Sequence, residues 1–311
     1  MKPRILLIGA TGQIGSELFR LLPALGQVLP LGRSDLDLAD PAAIRPAIRA
    51  IAPKLIVNAA AYTAVDRAET ERAAAQAVNS EAPAVLAEEA RKLDATLVHF
   101  STDYVFDGRK SAPYEETDPA KPINVYGSTK LAGENAIRAA GVRHLVFRTS
   151  WVYAPRGKNF LLTILRLAAE REELRVVSDQ IGAPTWSREI AAAAVQVLAQ
   201  VLGAGSLDWI ADPTAGGIYH MTASGAASWF EFATSILDEA RPLSPVRPWV
   251  REATSSRPLI AQRVVPIASR DYPTPALRPA YSVLSNARLE RAFGVRLPDW
   301  RSQLKALFDE P

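Results

Sequence analysis

The stretch Ile5-Leu6-Leu7-Ile8-Gly9-Ala10-Thr11-Gly12-Gln13-Ile14-Gly15 reads as a strand, a glycine turn and the start of a helix. Four consecutive apolar residues suit a strand buried on both faces, which needs no polar alternation. Gly9 allows a tight turn, Gly12 lets backbone approach a pyrophosphate, and Gly15 lets the helix pack closely. The helix start, with Ile14, then offers free N–H groups and partial positive charge to a phosphate. Three glycines can also make an ordinary turn. Their place between a strand and a helix favours nucleotide binding.

Outward from this turn, short apolar runs alternate with helical stretches. Strands are expected at residues 28–31, 55–58, 96–101 and 144–149, and helices at 14–22, 41–50, 69–79, 80–93 and 126–140. That βαβ rhythm predicts an α/β fold with a doubly wound parallel sheet of Rossmann type and right-handed crossovers. After residue 150 the rhythm loosens, with helices expected at 159–172, 187–202 and 228–240 and strands at 174–177 and 218–221. Residues 241–280 hold eight prolines and read as loop with short pieces of structure. The expected division is a dinucleotide-binding domain over 1–150, rejoined by later segments, with 151–311 mainly a smaller C-terminal α/β substrate-binding domain.

Composition narrows the classes. The 311 residues are 48% hydrophobic and 22% charged, enough apolar material for a sizeable core. Thirty-six basic against 33 acidic side chains leave a charge of +3, which argues against nucleic-acid or membrane binding. Without cysteine there is no disulfide framework, zinc knuckle or thiol nucleophile. The four apolar residues after Arg4 are too few for a signal segment, and no run is long enough to span a bilayer. A cytoplasmic enzyme is expected.

The chemistry is carried by Tyr126-Gly-Ser-Thr-Lys130 and Ser101-Thr102-Asp103-Tyr104. Spacing of i, i+4 on a helix puts Tyr126 and Lys130 on one face. A phenol is a poor acid at neutral pH, and an adjacent ammonium would lower its pKa by stabilising the phenolate. Thr102 falls at the carboxyl end of a strand, where doubly wound sheets place ligands, and its hydroxyl suits the oxygen that Tyr126 protonates. After the second strand comes Gly32-Arg33-Ser34, with no acid until Asp35. Arg33 would attract a 2′-phosphate, so NADPH is favoured and NADH stays open.

Together the glycine turn, the threonine and the Tyr-Lys pair resemble the extended short-chain dehydrogenase/reductases. Asn58-Ala-Ala-Ala-Tyr-Thr-Ala-Val-Asp-Arg-Ala-Glu69, Val78-Asn79, Ser101-Thr-Asp-Tyr-Val-Phe-Asp-Gly108, Arg148-Thr-Ser-Trp-Val-Tyr153 and Gly182-Ala-Pro-Thr185 are similar to the dTDP-4-dehydrorhamnose reductases among them. A weaker echo lies in Arg278-Pro279 and Ser282. The resemblance implies reduction of a 4-keto group on dTDP-4-dehydro-β-L-rhamnose, with Thr102, Tyr126 and Lys130 as the catalytic trio. It implies that Thr102 and Asp103 face the sugar and that Trp151 stacks on it. Cofactor contacts implied are Gly12, Gln13, Ile14, Asp37, Leu38, Ala61, Tyr62 and Thr63, besides Tyr126 and Lys130. It also implies a dTDP-linked nucleotide-sugar partner and leaves a homodimer open. Mg²⁺ occurs in some members; Glu189 and Glu290 are lone glutamates and define no metal site here.

Competing readings remain. Asp103 could cap its loop instead of meeting substrate, and Trp151 could be core. His99, His144 and His220 are scattered and read as core or edge residues. Seven arginines against two acids in 241–280 suit either a sugar diphosphate or a solvated loop. Dehydratases on this fold carry an Asp-Glu pair after the threonine, whereas Asp103-Tyr104 stands here, so reduction fits better than elimination. A nucleotide-sugar epimerase, which would keep its cofactor tightly bound, and a non-catalytic subunit like the methionine adenosyltransferase β subunit are the alternatives.

Overall fold

A computed structural model describes residues 2–203, 217–243 and 247–310. Five of the strands in its main sheet are β1 (Arg4–Ile8), β2 (Gln27–Leu31), β3 (Leu55–Asn58), β4 (Thr96–Thr102) and β5 (His144–Thr149). Strand Gly217–His220 joins beyond β5, giving the order 217–220, β5, β4, β3, β1, β2 with every pairing parallel. The chain runs from β1 outward to β2, then returns to β1's other side as β3. That reversal opens a crevice at the carboxyl ends of β1 and β3, where this architecture binds ligands.

The apolar runs are unbroken because alternate residues feed two cores. Ile5, Leu7, Leu55, Val57, Val98, Leu145 and Phe147 pack with Leu18, Ile190 and Val197 of helices Gln13–Leu21 and Ser187–Gly203. Leu6, Ile8, Ile56, Leu97 and Val146 pack on the opposite face with Ile44, Leu86 and Ile137, from helices Pro41–Ile51, Ala82–Lys92 and Val125–Ala139. A third core gathers Tyr153, Leu165, Trp186, Phe232, Trp300 and Phe308 in the C-terminal half.

Several expectations change. In place of two helices at 69–79 and 80–93, helical turns at Val65–Ala68 and Arg72–Gln76 lead into a π-helical stretch, Ala77–Glu81, and then Ala82–Lys92. Pro83 has no N–H to offer the carbonyl of Asn79 four residues back, so the ladder must shift there. Within 241–280 lie a helix, Pro248–Ala253, and a strand, Arg263–Ile267, paired in parallel with Glu173–Val177. Pro266 is tolerated because this ribbon has only two strands and Pro266 can turn its ring to an open edge. Helices Ala287–Phe293 and Trp300–Asp309 had no counterpart in the sequence pattern. Helix Trp229–Ala240 begins with a full capping box, Ser228 and Glu231. Among the described residues no helix is long and apolar enough to cross a membrane.

Candidate active site

The glycine turn sits at the carboxyl end of β1. Gly9 has φ +80°, and a Cβ there would lie 2.7 Å from the Ala60 backbone nitrogen that follows β3. A Cβ on Gly15 would lie 2.0 Å from the Gly9 carbonyl oxygen. Gly15 therefore packs the helix on the turn itself, not on the strand. Gly12 caps helix Gln13–Leu21 with no side-chain hydrogen bond, and the first turn carries no acid. Its leading N–H groups and dipole are left for an anion, which fits a dinucleotide pyrophosphate. The side chain of Gln13 is held from the C-terminal half, accepting from Asn159 Nδ2 at 2.8 Å.

Beyond β2, Asp35 is tied down: its carboxylate accepts the Gly32 N–H at 2.7 Å. Arg33 reaches into solvent, with 86% of its side chain exposed and an ion pair to Asp37 at 3.7 Å. That leaves a mobile cation beside the expected ribose position. Leu38 is buried against Leu6 and Ile8, so its side chain serves the core. On the β3 side, Tyr62 is clamped by Asn79, whose Oδ1 accepts the Tyr62 N–H at 2.8 Å while Nδ2 donates to the Tyr62 carbonyl at 3.0 Å. The same Nδ2 lies 3.2 Å from Thr129 Oγ1 on the catalytic helix. The π-helical stretch thus aims Asn79 at both walls of the crevice, with Ala61 and Thr63 flanking Tyr62.

Thr102 ends β4 and Tyr126 opens helix Val125–Ala139, capped by Asn124, which accepts the Gly127 N–H at 2.8 Å. Gly127 is what lets them meet: a Cβ there would lie 2.1 Å from the Tyr104 carbonyl oxygen. The helix start therefore rests flush on Thr102–Tyr104, the Tyr104 and Tyr126 rings meet edge to face at 5.7 Å, and the Thr102 hydroxyl lies beside the Tyr126 phenol. Burial pushes Tyr126 up to about 12, with the Thr102 hydroxyl pulling it down and the Asp103 carboxylate pushing it further up.

In the structure the Lys130 side chain bonds β4 rather than Tyr126. Its buried amine is seated on β4, 2.9 Å from His99 Nε2 and donating to the Phe100 carbonyl at 2.6 Å. Burial lowers it to about 8 against the opposing pull of Glu134. Burial, not a neighbouring ammonium, governs the phenol here. Helical spacing fixes the face of both side chains but not the rotamer of a four-carbon stem, which follows its hydrogen-bond partners.

Asp103, expected to face the sugar, is 1% exposed. Its carboxylate bonds the hydroxyls of Thr102 and Ser150, each at 3.1 Å, and the Ser282 hydroxyl lies beside it. Burial raises it to about 6 despite those bonds. Its work is to aim Thr102 and to join β4, β5 and the chain near 282. Trp151 follows β5 with φ +45°, half-buried, its indole stacked on Trp229 at 3.4 Å. The pair makes a flat aromatic wall at the sheet's carboxyl edge. Arg278 forms an ion pair with Asp66 at 2.8 Å, which fastens the end of the arginine-rich segment to helix Val65–Ala68. Asn58, His99, Asn79, Ser150 and Tyr104 are site neighbours that sequence reasoning missed. A histidine three residues before Thr102, on a strand ending in the site, was the available signal.

A parallel sheet with a glycine turn at its reversal, and a threonine packed beside the tyrosine of a Tyr-Lys helix, defines a Rossmann-type short-chain dehydrogenase/reductase. The chain belongs to the dTDP-4-dehydrorhamnose reductase family. The family model described as RmlD substrate binding domain matches residues 1–311. A dTDP-4-dehydrorhamnose reductase of Burkholderia thailandensis is 50% identical over 298 residues, covering 96% of this chain and 95% of its own. The Escherichia coli K12 enzyme of that name is 40% identical, covering 98% and 97%. A solved dTDP-4-dehydrorhamnose reductase from Bacillus anthracis, in complex with NADP, superposes with a TM-score of 0.85 at 32% identity over 100% of both chains. A Thermus thermophilus UDP-glucose 4-epimerase shares the fold alone, at TM-score 0.75 and 20% identity over 98% of each chain.

Proposed function

We propose that this enzyme reduces the 4-keto group of dTDP-4-dehydro-β-L-rhamnose to dTDP-L-rhamnose with NADPH, Tyr126 donating the proton. The observation that carries the reading is the close packing of the Tyr126 helix start on Thr102–Tyr104 at the carboxyl edge of β4, beside the glycine turn. Family kinship supports the substrate, and the NADP complex of the Bacillus anthracis relative supports the cofactor. Gly9, Gly12 and the start of helix Gln13–Leu21 would hold the pyrophosphate, Arg33 the 2′-phosphate, and Tyr62 with its neighbours the adenosine side.

NADPH supplies the hydride that reaches the carbonyl carbon. The chain's own part is the oxygen. Thr102 orients the carbonyl oxygen by turning its hydroxyl hydrogen from Asp103 to it, and Tyr126 releases a proton to that oxygen as it becomes alkoxide. A phenol near 12 stays protonated at neutral pH, so the donor is loaded before each turnover. Lys130 as an ammonium would steady the phenolate left behind until solvent restores its proton. Residues 1–150, rejoined by helix Ser187–Gly203 and strand Gly217–His220, would bind the cofactor, and most of 151–311 would cover the sugar nucleotide. The Trp151–Trp229 wall is placed to pack against the sugar ring.

Mixing protein, NADPH and dTDP-4-dehydrorhamnose tests the reading through loss of absorbance by the reduced nicotinamide. Consumption matched by one equivalent of dTDP-rhamnose is expected; no consumption defeats it. Stoichiometric NAD⁺ that stays bound through dialysis would point to an epimerase instead. Arg33→Ala is expected to raise KM for NADPH about fivefold, an exposed charge contact of roughly 1 kcal/mol, and leave KM for NADH unchanged. Equal effects on the two cofactors would remove Arg33 from the 2′-phosphate.

A further inference from the structure

Asn58, His99 and Lys130 form one line of hydrogen bonds beneath the catalytic helix, and its direction can be worked out. The Ala60 N–H donates to Asn58 Oδ1 at 3.1 Å, which leaves the amide nitrogen facing His99 Nδ1 at 3.1 Å. An amide nitrogen only donates, so Nδ1 must accept. A neutral imidazole whose Nδ1 accepts carries its hydrogen on Nε2. That Nε2 stands 2.9 Å from Lys130 Nζ, which also donates to the Phe100 carbonyl. An ammonium has no lone pair to receive an N–H; an amine has one.

We infer that His99 is a positioning residue that seats Lys130 as a neutral amine on β4, with Asn58 setting the polarity of the seat. The three side chains are 0–1% exposed, so water does not relieve a mismatch. A protonated imidazole, the alternative that would clash with Lys130 more severely, is disfavoured: burial holds His99 well below its ordinary value. Burial likewise weakens the hold of Lys130 on its proton. Of the other titrating groups, Glu134 acts on it and is taken up by Arg148 and Ser101, and Tyr126 stands one turn back on the same helix. When Lys130 gains a proton from solvent it no longer fits opposite the Nε2 hydrogen. The ammonium is then released toward Tyr126, on the same helix face. His99 thus couples the protonation of Lys130 to its position.

The chain has three histidines, so ¹⁵N-histidine NMR can read each tautomer directly. His144, whose Nδ1 donates to the Val142 carbonyl at 2.8 Å, supplies the opposite tautomer as an internal contrast. The signal of His99 is identified by its loss in His99→Gln. Wild-type His99 is expected as the Nε2–H form. In the isosteric Asn58→Asp variant, a carboxylate accepts from both Ala60 N–H and Nδ1–H, so His99 is expected as the Nδ1–H form. Its free Nε2 then accepts from the Lys130 ammonium, and the alkaline limb of kcat/KM moves up by about one pH unit. An Nδ1–H tautomer in the wild type overturns the inference, and this arm needs no variant to fold. A flipped tautomer in Asn58→Asp with an unmoved alkaline limb overturns it as well. Only the kinetic arm rests on the reductase reading: a wild type inactive toward NADPH and the sugar nucleotide defeats that reading and leaves the tautomer result standing.

Discussion

Tyr126→Phe is expected to lower kcat for NADPH-dependent reduction by about 10²–10⁴-fold while KM for NADPH changes little. The ring keeps its edge contact with Tyr104 and its place at the start of the helix, so the site keeps its shape. What is lost is the phenol proton that stands beside Thr102 for the carbonyl oxygen. Stopped-flow measurement of nicotinamide oxidation, with NADPH titrated separately by fluorescence, divides chemistry from binding. A kcat near that of the wild type would move the proton donor elsewhere. A loss found wholly in NADPH affinity would make Tyr126 a cofactor contact only.

The largest expected loss of stability lies about two turns further along the same helix. Glu134 is 0% exposed and Arg148 3%, and the carboxylate takes two guanidinium bonds at 3.0 and 2.7 Å plus the Ser101 hydroxyl at 2.5 Å. Glu134→Ala strands the Arg148 cation against β5 with no carboxylate, at a cost of about 3–5 kcal/mol. Urea denaturation followed by circular dichroism checks it. The double variant Glu134→Leu, Arg148→Met removes both charges and is expected to recover most of that loss, because the pair's attraction is largely offset by its desolvation. A single variant that loses under about 1 kcal/mol would show that water reaches Arg148.

Much of this was legible in the chain itself, for physical reasons that differ by element. β1 and β3 announced themselves as apolar runs, and β5 through its apolar centre at residues 145–147, because each feeds a core on both faces of the sheet. The glycine turn was legible because Cβ atoms at Gly9 and Gly15 would collide with backbone, a demand only glycine meets. Strand Arg263–Ile267 was hidden because an edge position tolerates Pro266, and the π-helical stretch because its cause is one missing N–H at Pro83. Local spacing put Tyr126 and Lys130 on one face, yet the seat of Lys130 is decided by His99 and Phe100, about thirty residues away in sequence. Asp103 was read toward the sugar; its carboxylate is held by the hydroxyls of its neighbour Thr102 and of Ser150 beyond β5, and no local pattern records the second.

The central claim is net hydride transfer to the sugar carbonyl with Tyr126 protonating its oxygen. Turning over dTDP-4-dehydrorhamnose with NADPH deuterated at the transferring position of the nicotinamide ring, and reading the product by NMR, tests it most directly. The account predicts dTDP-L-rhamnose with one deuterium at sugar C4, formed in step with NADP⁺. An unlabelled product, label at another carbon, or turnover with no NADPH consumed would contradict it.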